Sequence, residues 1–229
     1  MADKSLIEAY KSLNKKLITA KVTDSAIEKI LPFSSDLELR ERYINFFNGL
    51  RLGKLLEDLD LIAGQVAYRH TEGWERGMTI VTAACDRIDL LGELRSDQDL
   101  QLLASINWVG CSSIEVGVKI SSKEGESWKR VARAYFIMVA RREGKAERVN
   151  SLEVISKDEQ RRFREGQLRQ QERRSISQTN VLNNTPTGEE SHVLHELFIK
   201  IKKGEIDGIS MENSIRQSTL LMHPQSRNV

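Results

Sequence analysis

The segment from Asn48 to Gly64 constrains this chain more than any other. Leu52, Leu55, Leu56, Leu59, Ile62, Ala63 and Val66 recur at helical spacing, which predicts one helix over 52–68 with a single apolar seam. Gly53, Glu57, Asp60 and Gly64 fall on a second, narrower stripe of the same helix. An interior glycine costs a helix about 1 kcal/mol relative to alanine. Two of them in line with two acids suggest that another polypeptide or a ligand approaches the backbone there. The segment therefore reads as a site as well as a core.

After His70 the apolar period changes. Residues 78–91 are rich in β-branched and small side chains and read as a long strand, and 102–109 read as another. Ile114, Val116, Val118 and Ile120 alternate with Glu115, Gly117 and Lys119, the pattern of a half-exposed strand. Residues 123–126 read as a hairpin turn. The nearly continuous apolar run 131–140 predicts a central strand covered on both faces. One long helix followed by about four consecutive strands with hairpin links predicts an α+β fold. An antiparallel sheet wrapped around the helix is the simplest way to cover the seam.

The rest of the chain differs in character. Residues 4–30 read as helical in patches. Residues 157–174 are polar nearly all round and predict a solvated helix. Residues 180–190 read as a linker. Val193, Leu194, Leu197, Phe198 and Ile201 mark a short amphipathic helix with Ser191 as its cap. The net charge of +2 gives no bulk field that points to nucleic acid or a membrane. No apolar run approaches a membrane span, and neither a signal nor a transit peptide is read at the start. Cys85 and Cys111 make neither a disulfide framework nor a metal-ligand spacing.

Several separated motifs are similar to the acyl-coenzyme A thioesterase 9-like family. They are Arg51-Leu-Gly-Lys-Leu-Leu-Glu-Asp-Leu-Asp60, Ser105-Ile-Asn-Trp-Val-Gly-Cys-Ser-Ser-Ile-Glu-Val116 and Phe136-Ile-Met-Val-Ala-Arg141. Arg164-Glu-Gly166, His195-Glu-Leu-Phe198 and Met211-Glu-Asn-Ser214 resemble the connection between the two halves of that family, and His223-Pro-Gln-Ser-Arg-Asn228 the entry to the second. The resemblance implies a hotdog fold, an antiparallel sheet wrapped around one long central helix. The residues themselves give a helical N-terminal extension (1–30); from about Leu31 to the end the resemblance implies a hotdog domain (31–150), a polar helical linker (151–208) and the start of a second hotdog (209–229). It also implies hydrolysis of acyl-CoA to free fatty acid and CoA, a mitochondrial location, and an active site formed by paired hotdogs. The partner is then a second hotdog from another copy or a related chain, in a homo-oligomer. No metal or redox cofactor is expected, the CoA thioester being the substrate.

Thioester hydrolysis needs a base to activate water and donors aimed at the developing oxyanion. By the resemblance, Asp60 is the general base or nucleophile, with Gly64 one turn further on. Asn48 orients water or the thioester, and the backbone of Leu52 and Gly53 binds the carbonyl. Glu57 is the reserve acid, and Asp58 a weaker one. The residues alone also allow plainer roles: solvated helix acids, a turn asparagine and a packing glycine. Gly110 and Ser112, in a turn-like link, are ligand contacts by the resemblance; Ser112 and Ser113 have no neighbouring base in sequence to make either a nucleophile. His70, His192, His195 and His223 have no zinc-site spacing, and Trp74, Trp108 and Trp128 read as core or sheet-edge residues. Arg161, Arg162, Arg164, Arg169, Arg173 and Arg174 read as a salt-bridged face with Asp158, Glu159, Glu165 and Glu172, or as a phosphate contact to CoA or RNA. Because the second hotdog is expected to be truncated, a catalytically silent half acting as a regulatory partner stays open. A hydratase is a further alternative, weakened by the distance of His70 from Asp60 along the helix.

Overall fold

A computed structural model of the chain describes residues 17–179 and 185–206. In chain order the elements are β1 (Thr19–Lys21), α1 (Val22–Ser25), β2 (Ile27–Leu31), α2 (Leu37–Glu41), α3 (Leu52–Thr71), β3 (Thr79–Leu90), β4 (Leu100–Val109), β5 (Ser113–Glu124), β6 (Ser127–Arg142), β7 (Lys145–Ala146), β8 (Ser151–Glu153), α4 (Lys157–Thr179) and α5 (Gly188–Lys202). The chain divides into two compact units, Met1–Glu172 and Arg173–Val229.

The seam forms the helix it predicts. Leu55, Leu59, Ile62, Ala63, Val66 and Ala67 are buried along α3. They pack on the inward residues of an antiparallel sheet of order β2-β4-β5-β6-β3, with β7 on β6. Alternation makes that inner face. Leu100, Leu102, Ala104 and Ile106 of β4, Ile114, Val116, Val118 and Ile120 of β5, and Ala132, Ala134, Phe136 and Met138 of β6 are all buried in one core with α3. Burying a side chain such as Leu59 stabilises the fold by about 1.5–3 kcal/mol.

The N-terminal segment departs from expectation. Within 17–30, read as part of a helical extension, the chain forms β1, a single helical turn and β2. β2 is an edge strand on β4, with Leu31 paired to Leu100. The reason is a period of two: Ile27, Lys29 and Leu31 are the more buried residues, and Glu28 and Ile30 the exposed ones. Lys29 is thereby held beside α3, where its Nζ donates to Asp58 Oδ1 at 2.8 Å. Residues 151–153, expected in the linker, are β8, which pairs in parallel with β1. Residues 1–16 and the proposed start of a second hotdog at 209–229 lie outside the described residues.

Up to Glu172, α4 lies on the outer face of the sheet, and it is not solvated all round. Arg169 grips Glu115 with Nη2 at 2.6 Å and Nε at 3.1 Å. Asn107 Nδ2 donates to the same carboxylate at 3.2 Å, and the Arg169 guanidinium sits 4.3 Å from the Tyr135 ring centroid. Gly166 permits the contact: a Cβ there would come 2.6 Å from Trp108 Cβ and 3.2 Å from Glu115 Oε1. This cover explains why Glu115, on the polar face of an alternating strand, is fully buried. In the second unit, α5 starts at Thr187 rather than Ser191. The Thr187 side chain accepts from Glu190 N at 3.2 Å, and the Glu190 carboxylate accepts from Thr187 N at 2.9 Å. Ser191 lies within the first turn.

Candidate active site

Asp60 and Gly64 stand where α3 meets the edge strand β3. Thr82 Oγ1 donates to Asp60 Oδ1 at 2.7 Å, and the same hydroxyl lies 3.6 Å from Met138 Sδ. Register sets this up, since Thr82 pairs directly with Met138 across β3 and β6. A Cβ on Gly64 would touch Met138 Cε at an ordinary 3.9 Å, so this glycine leaves room without being forced by a clash. Cys85 lies further along the same strand, near enough for its thiol to feel the charge of Asp60. Partial desolvation pushes its thiol above the ordinary value, and the charges of Asp60 and Asp86 push it further.

β3 is the margin of the sheet. Among the described residues it pairs only with β6, and two bulges interrupt that ladder, at Thr82–Ala84 and Cys85–Arg87. Val81, Ala83, Ala84 and Cys85 are exposed along it. Leu61, one residue past Asp60, is 57% exposed, and Phe46 and Phe47 on the loop before α3 are 96% and 87% exposed. Exposed apolar side chains on an edge strand, a helix and the loop before it are of the kind that interaction surfaces use.

The other end of α3 carries the donors. Leu52 and Gly53 begin the helix, so their N–H groups have no intrahelical acceptor, and the N-cap residue Arg51 makes no side-chain cap. A Cβ on Gly53 would meet nothing within 4 Å. Asn48 is exposed and left-handed, with φ 59°, and its carbonyl accepts from Ser96 Oγ at 3.0 Å. The loop is organised by Asn45, whose Oδ1 accepts from Phe47 N at 2.9 Å and Gly49 N at 3.0 Å.

The remaining candidates have other partners or positions, Glu57 standing one turn before Asp60 on α3. Glu57 is exposed and pairs with Lys54 at 2.6 Å. Asp58 is buried on another face, bonded to Lys29 and to the Tyr43 hydroxyl. Burial first, and then the hydrogen bond to Asp58, hold that phenol well above its ordinary range. Gly110 and Ser112 sit at the end of the sheet that holds Thr82, since Ala140 N donates to Ser112 O at 2.9 Å and Thr82, Met138 and Ile114 are in register. They lie two strands across from β3, about 10 Å by strand spacing. Gly110 fits a tight turn: a Cβ there would come 2.6 Å from Trp108 Cη2. Among the described residues no group of three or more His, Cys, Asp or Glu is placed to hold a metal ion.

The structure thus joins Asp60 and Gly64 to Thr82, Met138 and Cys85, and leaves Asn48, Leu52 and Gly53 at the far end of the helix. Leu52 and Asp60 are eight residues apart, about 12 Å of rise. Thr82, Cys85 and Asn45 were not singled out from the sequence. Thr82 and Cys85 sit in a β-branched run whose register cannot be read in advance. Asn45 had a local signal, since an asparagine side chain readily accepts from the backbone two residues on, as it does here from Phe47 N.

No family model matches the chain. Its whole length is 33% identical to human acyl-coenzyme A thioesterase 9, mitochondrial, of which it covers 56%. The chain spans about half the length of the first curated relatives it matches. Two solved structures share the fold. An acyl-CoA hydrolase from Staphylococcus aureus, in complex with butyryl coenzyme A, superposes with TM-score 0.62 at 23% identity, over 72% of this chain and 98% of that one. An acyl-CoA hydrolase from Bacillus cereus gives 0.61 at 24% identity, over 74% and 99%. The expected hotdog fold is the one found.

Proposed function

We propose that this chain, a relative along its full length of the acyl-coenzyme A thioesterase 9-like family, hydrolyses an acyl-CoA thioester when its hotdog domain is paired with a second one. The observation that carries this is the separation along α3. Asp60, held by Thr82 at 2.7 Å, and the uncapped amides of Leu52 and Gly53 are on one helix but about 12 Å apart. They cannot reach one carbonyl within a single copy. Two such helices laid antiparallel bring the acid of one to the amides of the other. The β3 edge, paired only with β6 among the described residues, and the exposed Phe46, Phe47 and Leu61 favour a second copy of this chain as the partner.

In that pair the Asp60 carboxylate accepts a proton from water as the water oxygen bonds to the thioester carbon. The partner's helix-start N–H groups stabilise the oxyanion. Collapse of the tetrahedral intermediate breaks the C–S bond, and the CoA sulfur leaves as thiolate to be protonated. Asn48 orients the thioester from the loop beside those amides. Gly110 and Ser112 contact the CoA moiety at the end of the sheet. The reaction needs no metal or redox cofactor. The location is mitochondrial, after the compartment in the names of the mammalian relatives.

The same separation favours a second reading, in which a single copy is silent and serves as a partner for another hotdog. Turnover of short, medium and long acyl-CoAs by the purified chain, with its mass in solution measured alongside, decides between them. The enzyme reading expects turnover from an oligomer and a loss of about 100-fold or more in Asp60→Asn. Full activity in that variant, or an inert monomer, overturns it.

A further inference from the structure

A second polar site lies on the opposite face of the sheet from Asp60. Between the outer face and the first half of α4 is a cavity of about 80 Å³. Six cationic side chains line it against two carboxylates, those of Asp158 and Glu165. Some of that charge is already matched. Arg169 holds Glu115. Arg161 and Arg162 share Asp158, at 2.5 Å and 3.1 Å, and Arg162 Nη1 donates to Ser105 Oγ at 2.7 Å.

Lys119, Arg130 and Arg133 are not matched: among the described residues no carboxylate pairs with any of them. Lys119 and Arg133 are direct cross-strand partners on the same face of β5 and β6. Like charges placed opposite one another destabilise a sheet. These two are also half-buried under an arginine-bearing helix. Arg133 Nε is buried with no hydrogen-bond partner, which costs free energy unless something meets it. Burial, and then the field of Arg162, pull the Lys119 ammonium below its ordinary value, with Asp158 opposing. The cavity therefore concentrates unmatched donors and positive charge on half-buried side chains.

We propose that this cavity binds the phosphate group of an oxyanion ligand, seated between Lys119 and Arg133 of the sheet and Arg162 of α4. A tetrahedral oxyanion offers several acceptors at once, which suits guanidinium forks and a lysine point charge. The cavity has room for a phosphoryl group, and a nucleotide or coenzyme A would be held there by its phosphate. Occupancy cancels the Lys119–Arg133 repulsion and ties α4 to the sheet. The site is independent of the thioester chemistry, because it uses none of the residues around Asp60.

The test is thermal unfolding of the whole chain in sodium phosphate against sodium chloride at matched ionic strength and pH. The expected result is a Tm higher in phosphate by roughly 2–4 °C or more. Lys119→Met and Arg133→Met should each lose that difference while melting higher than the parent in chloride, because the repulsion is gone. Lys129→Met, an exposed change outside the cavity, should keep the full difference, which separates the cavity from the loss of any surface cation. Equal Tm values in the two salts, or a phosphate shift retained by both cavity variants, overturn the proposal. Should Arg133→Met fail to fold, Lys119→Met and the ³¹P line width of phosphate with the parent chain decide, and an unbroadened line is negative. Separate arms with ADP and with coenzyme A identify the source. A shift with either that Lys119→Met loses points to a nucleotide phosphate, and a shift with inorganic phosphate alone points to the free ion.

Discussion

Thr82, on strand β3, donates its hydroxyl to Asp60 on the central helix across 2.7 Å. The bond orients the acid and leaves it beside the surface where a partner is expected. Thr82→Val keeps the shape and removes the donor. We expect kcat on acyl-CoA to fall about tenfold or more, with a stability change of no more than about 1.5 kcal/mol. Steady-state kinetics with calorimetry on the same samples checks both. An unchanged kcat would show that Asp60 needs no such support.

His70, 2% exposed near the end of α3, sits on the β8 side of the fold. Its Nε2 lies 3.0 Å from Asn150 O, and Asn150 Nδ2 donates to His70 O at 2.7 Å. Burial holds the imidazole below its ordinary value, with the Asn150 carbonyl and Asp24 opposing. A group depressed in the folded state is protonated first in the unfolded chain. Its contribution to stability is therefore full above the unfolded value of about 6.5 and is lost as pH falls through and below it. Urea midpoints between pH 8 and pH 5 should decline, and His70→Gln should flatten the decline. A parallel slope in both proteins counts against the assignment.

The Glu115–Arg169 pair is enclosed, with side chains 0% and 16% exposed. Arg169→Met leaves a buried carboxylate without its two-pronged guanidinium partner. The expected loss is about 3–5 kcal/mol, read as a lower urea midpoint with the slope retained. Gly166→Ala, which improves helix propensity, should nonetheless destabilise by about 1–3 kcal/mol, because its methyl would strike Trp108.

Leu59 lies at the centre of the α3 seam, 1% exposed. Leu59→Ala should lose about 2–5 kcal/mol of unfolding free energy. The far-UV spectrum should keep its shape below the transition. A loss under 1 kcal/mol would mean the seam is not the core.

The seam of α3, the four long strands after it and the turn at 125–126 were legible because each repeats a local period that one buried face enforces. β2 was missed because its five residues are too few for a period to outweigh the helical patches around them. The polar helix was read correctly as a helix and wrongly as fully solvated. Arg162, Gly166 and Arg169 make no apolar stripe, so nothing in its pattern revealed the face that meets the sheet.

The candidate site divides the same way. Asp60 and Gly64 were visible as a stripe, because helical spacing alone puts them in line. Thr82, Cys85 and Met138 were not, because what brings them to Asp60 is the register of β3 on β6 and its two bulges. The chain by itself determined its elements and the seam that requires a wrapping sheet, since periodicity is a property of consecutive residues. Only the tertiary structure decided which acid of the stripe meets a hydroxyl and which cations are forced together on the outer face. Those are contacts between residues far apart in sequence, and strand pairing sets them rather than any local pattern.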